Sequence, residues 1–335
     1  MDKKQIAFGI SALVLSGAVF ANADNGIPDD ILIMEGDEDT IIAPPPKNSS
    51  SASKGPMRTH FFSGIEHTET VFTESGKLSN TSFVLADGST RFNENFRLRY
   101  VLSESHSKTK GSTDDKGFSI NYRIAPRYEK WVNPNFSFFI EPSFYRRSTS
   151  DGADNTEWQI KPGAQYALGK HIFFVTGEYK NLNRKRYARD NNGWSPEIKE
   201  DLDWERVNGE INYTYRQSRQ LNWGINLNAG TTLDNADTAP AIFTRSNSYN
   251  VRPFVRIRHL AGVTTEFNVR YGHSESGKNW EGSNNLDYNI NSNKQLTRNV
   301  RLVANFGYVT SERHTGVGWG DSEGFKTKLG LNFSF

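Results

Sequence analysis

From residue 59 to the last residue, the sequence alternates apolar and polar side chains with a period of two residues. In one such run Phe96, Leu98 and Tyr100 fall on one side, while Arg97 and Arg99 fall on the other. A period of two is the pattern of a β-strand whose two faces meet different surroundings. The repetition of this pattern to the end of the chain predicts an all-β fold.

The connections between these runs also alternate, this time in length. Counting back from Phe335 gives thirteen clear strands, and the weak segment 78–86 supplies a fourteenth. Bacterial outer-membrane barrels have an even number of strands, with short turns at one end and long loops at the other. We therefore predict a transmembrane antiparallel β-barrel of 14 strands over residues 59–335. The short connections are expected near 87–89, 132–134, 168–170, 217–219, 260–262 and 293–296, and the long ones near 104–116, 147–156, 183–202, 233–247, 273–280 and 311–323.

The composition alone gives a different impression. Only 35% of the residues are hydrophobic and the mean hydropathy is −0.67, as in a soluble protein. A soluble β-sandwich or propeller is the alternative, because an antiparallel sheet can also have one solvated face. The barrel is favoured because the polar face carries many Arg side chains, whose burial in a dry core without partners costs several kcal/mol each.

The first residues predict export. Lys3 and Lys4 precede an apolar run, and Ala21-Asn22-Ala23 follows it, which is the pattern of a secretory signal peptide over residues 1–23. An uncleaved anchor is the alternative. With the barrel, this predicts the outer membrane of a Gram-negative bacterium, with outer-membrane lipid, lipopolysaccharide and the barrel-assembly machinery as partners. The absence of Cys excludes disulfides, and a net charge of +2 gives no case for a nucleic-acid partner.

Residues 24–58 are rich in acidic, Pro and Ser residues and are expected to form a disordered periplasmic arm. The arm has a net charge of −4, against +5 for residues 59–335. Three interpretations stay open: a solvated leader, a plug that enters a basic lumen, and a docking strand at 39–43 that pairs with a periplasmic partner. The candidate plug residues are Ile31, Leu32, Asp37, Glu38 and Asp39.

The polar face of the strands should line the lumen, and it is rich in arginine. A wall of guanidinium groups attracts anions and binds carboxylates bidentately. We therefore expect diffusion of oligosaccharides, with a preference for anionic, uronate-type solutes. The alternative is that Arg and Glu pair across the wall and leave a non-specific porin for small hydrophilic solutes. The candidate pore residues are Arg97, Arg99, Arg123, Arg127, Arg147, Arg206, Arg216, Arg252, Arg256, Arg258, Arg270, Arg301, Glu141, Glu178 and Glu210.

Four segments resemble the OmpG-like monomeric porins: 59–66 (THFFSGIE), 156–162 (TEWQIKP), 206–215 (RVNGEINYTY) and 328–335 (KLGLNFSF). This resemblance implies a 14-stranded monomer that passes oligosaccharides by diffusion. It also implies an acid-closed gate on the sixth long loop. That loop is short here and the strands expected after it contain no His, so the sequence does not support the gate.

No enzyme is expected. The run His273-Ser274-Glu275-Ser276-Gly277 has some of the residues of an outer-membrane lipid hydrolase, but not the spacing of a Ser–His pair. No clustered His or carboxylates indicate a metal or another cofactor. A structural or adhesive barrel without transport is the remaining alternative.

Overall fold

The computed structural model describes residues 57–72, 76–109, 117–150, 152–190, 193–233, 246–259, 262–276, 281–313 and 321–335. Within these ranges, fourteen antiparallel strands form a closed barrel in which each strand pairs with its sequence neighbours and the last pairs with the first. The predicted fold class and strand count are therefore confirmed. The predicted signal peptide and nearly all of the acidic arm lie outside the described residues.

The strands are 12 to 24 residues long. Their bounds are β1 Arg58–Phe72, β2 Gly76–Arg91, β3 Phe96–Thr109, β4 Gly117–Asn133, β5 Phe136–Thr149, β6 Ala153–Leu168, β7 His171–Asp190, β8 Gly193–Arg216, β9 Leu221–Thr232, β10 Ser246–Arg258, β11 Val263–Ser276, β12 Glu281–Thr297, β13 Val300–Arg313 and β14 Ser322–Ser334. Among the described residues, no helix is long and apolar enough to cross a membrane.

The barrel closes where β1 meets β14. The two strands are in register from His60 opposite Ser334 to Phe72 opposite Ser322. The backbone N–H of Thr59 donates to the Phe335 carbonyl at 3.0 Å, and the Phe335 N–H donates back at 2.9 Å. Both ends of the barrel sequence therefore lie at the same rim, together with the tight turns such as Pro134-Asn135 and Gly169-Lys170. We call this the short-turn rim and the opposite one the long-loop rim.

Two predicted turns are misplaced. The first lies at 92–95, where the Asn93 side chain accepts hydrogen bonds from the N–H groups of Asn95 and Phe96, both at 2.9 Å. Asp87-Gly88, which has the composition of a turn, lies inside β2 just after a β-bulge. Gly88 is required there because a Cβ would come within 2.0 Å of the His60 carbonyl oxygen on β1. The last short turn lies at 298–299 instead of 293–296.

The predicted fourth long loop, 183–202, is largely a hairpin extension. β7 runs on to Asp190 and β8 begins at Gly193, so the two strands pair far beyond the predicted loop boundary. The alternation is weak here because charged residues occupy both faces.

Candidate pore

Successive side chains of each strand point alternately to the barrel interior and to the outside. On β4, Ser119 and Asn121 are 3% and 4% exposed on the interior face, whereas Ile120 and Ile124 are 40% and 49% exposed on the outer face. A residue that points inward on β4 is paired with residues that also point inward on β3 and β5, because the strands are in register. The interior face holds all fifteen candidate pore residues, Arg97, Arg99, Arg123, Arg127, Arg147, Arg206, Arg216, Arg252, Arg256, Arg258, Arg270, Arg301, Glu141, Glu178 and Glu210.

Interior carboxylates pair with basic side chains, in most cases on another strand of the barrel. Asp287, only 2% exposed, accepts hydrogen bonds from the Arg270 guanidinium and, at 3.4 Å, from Lys326 Nζ. Other pairs are Arg99–Glu141 at 3.2 Å, Arg127–Glu129 at 3.5 Å, Lys161–Glu210 at 4.0 Å, Lys180–Glu157 at 3.7 Å, Arg256–Glu266 at 2.7 Å and Lys328–Glu66 at 2.6 Å. Pairing across the wall, the structural alternative from the sequence, therefore does occur.

Pairing does not neutralise the wall, because among the interior side chains that the structure describes, basic ones outnumber acidic ones by more than two to one. The basic ones are Arg58, Arg91, Arg97, Arg99, Arg123, Arg127, Arg147, Lys161, Lys180, Arg184, Arg186, Arg206, Arg216, Arg252, Arg256, Arg258, Arg270, Arg301, Lys326 and Lys328. The acidic ones are Glu66, Asp87, Glu129, Glu141, Glu157, Glu178, Glu210, Glu266 and Asp287. A concave surface with one excess sign of charge raises the local concentration of counter-ions.

Some interior residues were missed by sequence reasoning. Glu129 and Asp287 belong to the interior charge network but were not among the candidates. Trp131 and Trp204 look like membrane-interface residues by type, yet both occupy interior positions, and the Trp131 indole nitrogen is buried. All four could have been found from the two-residue alternation along each strand, because that alternation determines which side chains point inward, whatever their type.

Three interior phenylalanines lie on glycines of the barrel wall. A Cβ added to Gly330 would come within 2.4 Å of the Phe62 ring, one on Gly163 within 2.3 Å of Phe139, and one on Gly224 within 2.7 Å of Phe254. The three rings are 5%, 3% and 8% exposed. Each glycine thus supplies the space that lets a large ring lie against the wall, as aromatic side chains do over glycines in sheets.

Arginines collect at the short-turn rim. Arg58, Arg91, Arg97 and Arg127 lie on β1 to β4 and are paired one to the next by register, so they form a row across four adjacent strands. We call these four residues the arginine row. Elsewhere on the same rim, the ends of three other strands add Arg216, Arg258 and Arg301.

On the outer face near the long-loop rim, His273 of β11 is surrounded by the polar side chains of Asn284, Glu275 and Tyr249. Its Nδ1 lies 2.7 Å from Asn284 Oδ1, its Nε2 lies 3.2 Å from Glu275 Oε1, and its ring stands 5.2 Å from that of Tyr249. A groove of about 550 Å³ beside it is lined by small residues including Gly209 and Ala229.

Among the described side chains of β11, no serine shares the face of His273. His273 lies on the outer face, whereas Ser274 is on the interior face and contacts Ser283 at 2.8 Å. The residue two positions after His273, which shares its face, is Glu275. In the part of the chain that the structure describes, no group of His and carboxylate side chains could hold a metal ion.

No protein-family model and no curated protein sequence matches this chain. Solved structures do match it. The "CymD monoaromatic hydrocarbon channel" is similar over 84% of this chain and 89% of its own, with a TM-score of 0.50 and 11% identity. The "TodX monoaromatic hydrocarbon channel deltaS2 mutant" is similar over 83% and 90%, with a TM-score of 0.52 and 7% identity. At such low identity the likeness shows the barrel fold alone.

Proposed function

We propose that this chain is an outer-membrane porin through which hydrophilic solutes diffuse, with a preference for anions. The supporting observation is the excess of basic side chains on the interior face, which remains after the interior carboxylates are paired. The apolar outer face, with side chains such as Phe267 at 46% and Ile290 at 43% exposure, suits contact with lipid.

The proposed location is the outer membrane of a Gram-negative bacterium, and the proposed functional unit is one chain. A closed barrel leaves no unpaired strand edge, which is the condition for spanning lipid with β-structure. Because one chain encloses the whole lumen, no second copy is needed to complete the wall.

For solutes, we propose acidic oligosaccharides. Guanidinium groups bind carboxylates in a planar, bidentate way. Between the charged strands, β9 turns Asn222, Asn226 and Asn228 inward. Carboxamides both donate and accept hydrogen bonds, so they suit sugar hydroxyls. A non-specific porin for small hydrophilic solutes remains the alternative.

The sign of selectivity is tested by the reversal potential of single channels in a planar bilayer across a tenfold KCl gradient. In a channel that prefers anions, the reversal potential is shifted toward the Cl⁻ equilibrium potential. A shift toward the K⁺ equilibrium potential means that the channel prefers cations, and this result overturns the proposal. The test variant is Arg252→Gln with Arg123→Gln, which should reduce the anion preference. The matched control is Arg146→Gln, because Arg146 lies on the outer face, where its side chain is 44% exposed and is paired with Asp154 at 2.6 Å.

The solute is tested by liposome swelling with uronate oligosaccharides and neutral ones of equal length. Faster entry of the uronates is the expected result. Equal rates in an anion-selective channel would instead favour the non-specific porin.

A further inference from the structure

Three arginines of the short-turn rim lie side by side on adjacent strands. Arg97 on β3 is paired by register with Arg91 on β2 and with Arg127 on β4. We call these three residues the arginine triad. Adjacent strands lie about 4.8 Å apart, so the Cα atoms of Arg91 and Arg127 are about 10 Å apart. Like charges directly opposite each other on paired strands are destabilising, and an anion bound between them would relieve this repulsion. Arg58, the other member of the arginine row, is not included because it already interacts with another group.

The first member of the triad is held in place, whereas the middle one is available to a ligand. The Arg91 Nε and Nη2 atoms donate to the backbone carbonyls of Asn93 and Glu94, at 3.2 and 3.1 Å. Arg97 has no hydrogen bond and no ion pair with any residue that the structure describes. The Glu94 side chain lies in the exposed turn, where water screens its charge.

The interior carboxylates near the triad leave it with an excess of positive charge. Glu129 lies 3.5 Å from Arg127 Nη2, and it also accepts a hydrogen bond from Ser137 Oγ at 3.1 Å. One position deeper in the lumen, Glu141 pairs with Arg99 at 3.2 Å. Three guanidinium groups thus face one neighbouring interior carboxylate, Glu129. The remaining charge matches an anion with two or more negative charges.

Two buried donors on β4 also need an acceptor. The Nε atom of Arg127 and the indole nitrogen of Trp131 are buried, and neither has a hydrogen-bond partner among the described residues. Both side chains are on the interior face, with Glu129 between them. Buried donors in proteins are nearly always paired, so these two N–H groups favour the approach of an acceptor oxygen. Phosphate and carboxylate oxygens form short, strong hydrogen bonds with such donors.

We propose that the arginine triad, together with the Trp131 indole N–H, binds small anions with two or more negative charges, such as phosphates and polycarboxylates. The inference rests on the proposed function, because the site lies at the short-turn mouth of the proposed channel. An anion bound there neutralises the positive excess of the mouth and obstructs the solute path. Multivalent anions should therefore block the channel reversibly, and an oligosaccharide with adjacent uronate units should be held at the same place.

Binding is measured by isothermal titration calorimetry, with pyrophosphate added to the folded, full-length mature chain in detergent. The wild-type chain should have one high-affinity site. Arg97→Gln should weaken the affinity at least tenfold, because it removes charge-assisted hydrogen bonds to the anion. Arg97→Lys keeps the charge but lacks the planar fork of donors, so its affinity should lie between the two.

The matched control is Arg147→Gln, which removes one interior arginine at another place. Arg147 is six residues beyond Glu141 on β5, so it lies about 20 Å further toward the long-loop rim. That distance exceeds the Debye length at 0.1 M salt, so the affinity should change by less than about twofold. A second control, Lys130→Gln, changes an exposed residue on the outer face of β4 and should leave the affinity unchanged.

Equal weakening in Arg97→Gln and Arg147→Gln would mean that only the overall charge of the lumen matters, and this result overturns the site. Wild-type affinity in Arg97→Gln overturns it as well. Single-channel recordings then test the position of the site. Pyrophosphate should interrupt the current of the wild-type channel and interrupt that of Arg97→Gln far less often. Binding in the calorimeter without any block would overturn the placement in the solute path.

The calorimetric result does not depend on conduction, so the site and the proposed function are judged separately. A cation-selective reversal potential overturns the anion preference, whatever the affinity for pyrophosphate. Conversely, an anion-selective channel in which Arg97→Gln binds pyrophosphate as the wild-type chain does keeps the proposed function and overturns the site.

Discussion

Replacement of Asp287 by Asn should destabilise the barrel by about 3 kcal/mol. Asp287 is 2% exposed and accepts charged hydrogen bonds from Arg270 and Lys326. A hydrogen bond to a charged group contributes about 1.5–3 kcal/mol. The Arg270 and Lys326 side chains keep 17% and 24% of their surface exposed, so interior water can partly rehydrate them after the change. We therefore take the lower value once for each of the two basic partners, Arg270 and Lys326.

The assay is equilibrium urea unfolding of the purified barrel in lipid vesicles, followed by Trp fluorescence and by the fraction that migrates as a folded band. The matched control is Asp154→Asn. Asp154 pairs with Arg146 at 2.6 Å, but the Arg146 side chain is 44% exposed, and exposed pairs contribute about 0–1 kcal/mol. If the free energy of unfolding fell by the same amount in Asp287→Asn and Asp154→Asn, the reasoning that burial determines the loss of stability would be refuted.

A double-mutant cycle with Arg270→Gln locates the effect. Because the two side chains interact directly, their combined loss should fall short of the sum of the single losses by about 1–3 kcal/mol. Strict additivity would show that Asp287 acts through other contacts.

Other predictions follow from the wall and its charges. Gly330→Val should reduce the folded fraction, because the added atoms would meet the Phe62 ring and over-packing costs about 1–3 kcal/mol. The control is Gly177→Val, which should fold normally because no atom lies within 4 Å of the added Cβ. The folded band on a gel measures the folded fraction of both variants. Arg123→Gln should lower the anion permeability ratio, whereas Arg146→Gln should leave it unchanged, as read from reversal potentials. Raising KCl from 0.1 M to 1 M should weaken the wild-type anion preference, because the Debye length falls from about 10 Å to about 3 Å.

The interior and outer faces were predictable because the period of two is dictated by the backbone itself. Once the strands are antiparallel and in register, each interior position on one strand faces an interior position on the next, as for Arg97 opposite Arg127. The even strand number then followed from the alternation of short and long connections.

The predicted turn at 87–89 and the predicted loop at 183–202 were misplaced because local residue composition indicated a turn or a loop where contacts between strands favour a strand. Asp87-Gly88 has turn chemistry, but the close approach of His60 explains the glycine equally well. The charged residues of 183–202 look like a loop until β7 and β8 are seen to pair through that range.

The ion pairs of the interior could not be predicted from sequence. Which carboxylate meets which base depends on the stagger between strands, and that stagger is a property of the closed barrel as a whole. Asp287 reaches Lys326 although the two residues are on strands separated by β13. Similarly, the plug residues Ile31, Leu32, Asp37, Glu38 and Asp39 fall outside the described ranges, so their role stays a prediction.

The phenylalanines that lie on glycines couple the bore of this barrel to its charge. At Gly163 a larger side chain would lift the Phe139 ring away from the wall and into the solute path. The Arg127 guanidinium carbon lies 3.5 Å from the centre of that ring, so the positive charge would move with it. The Phe62 ring has a similar partner, because Lys328 Nζ lies 4.3 Å from its centre. In an engineered nanopore based on this scaffold, a change of width at these glycines would therefore also change the position of basic groups in the lumen.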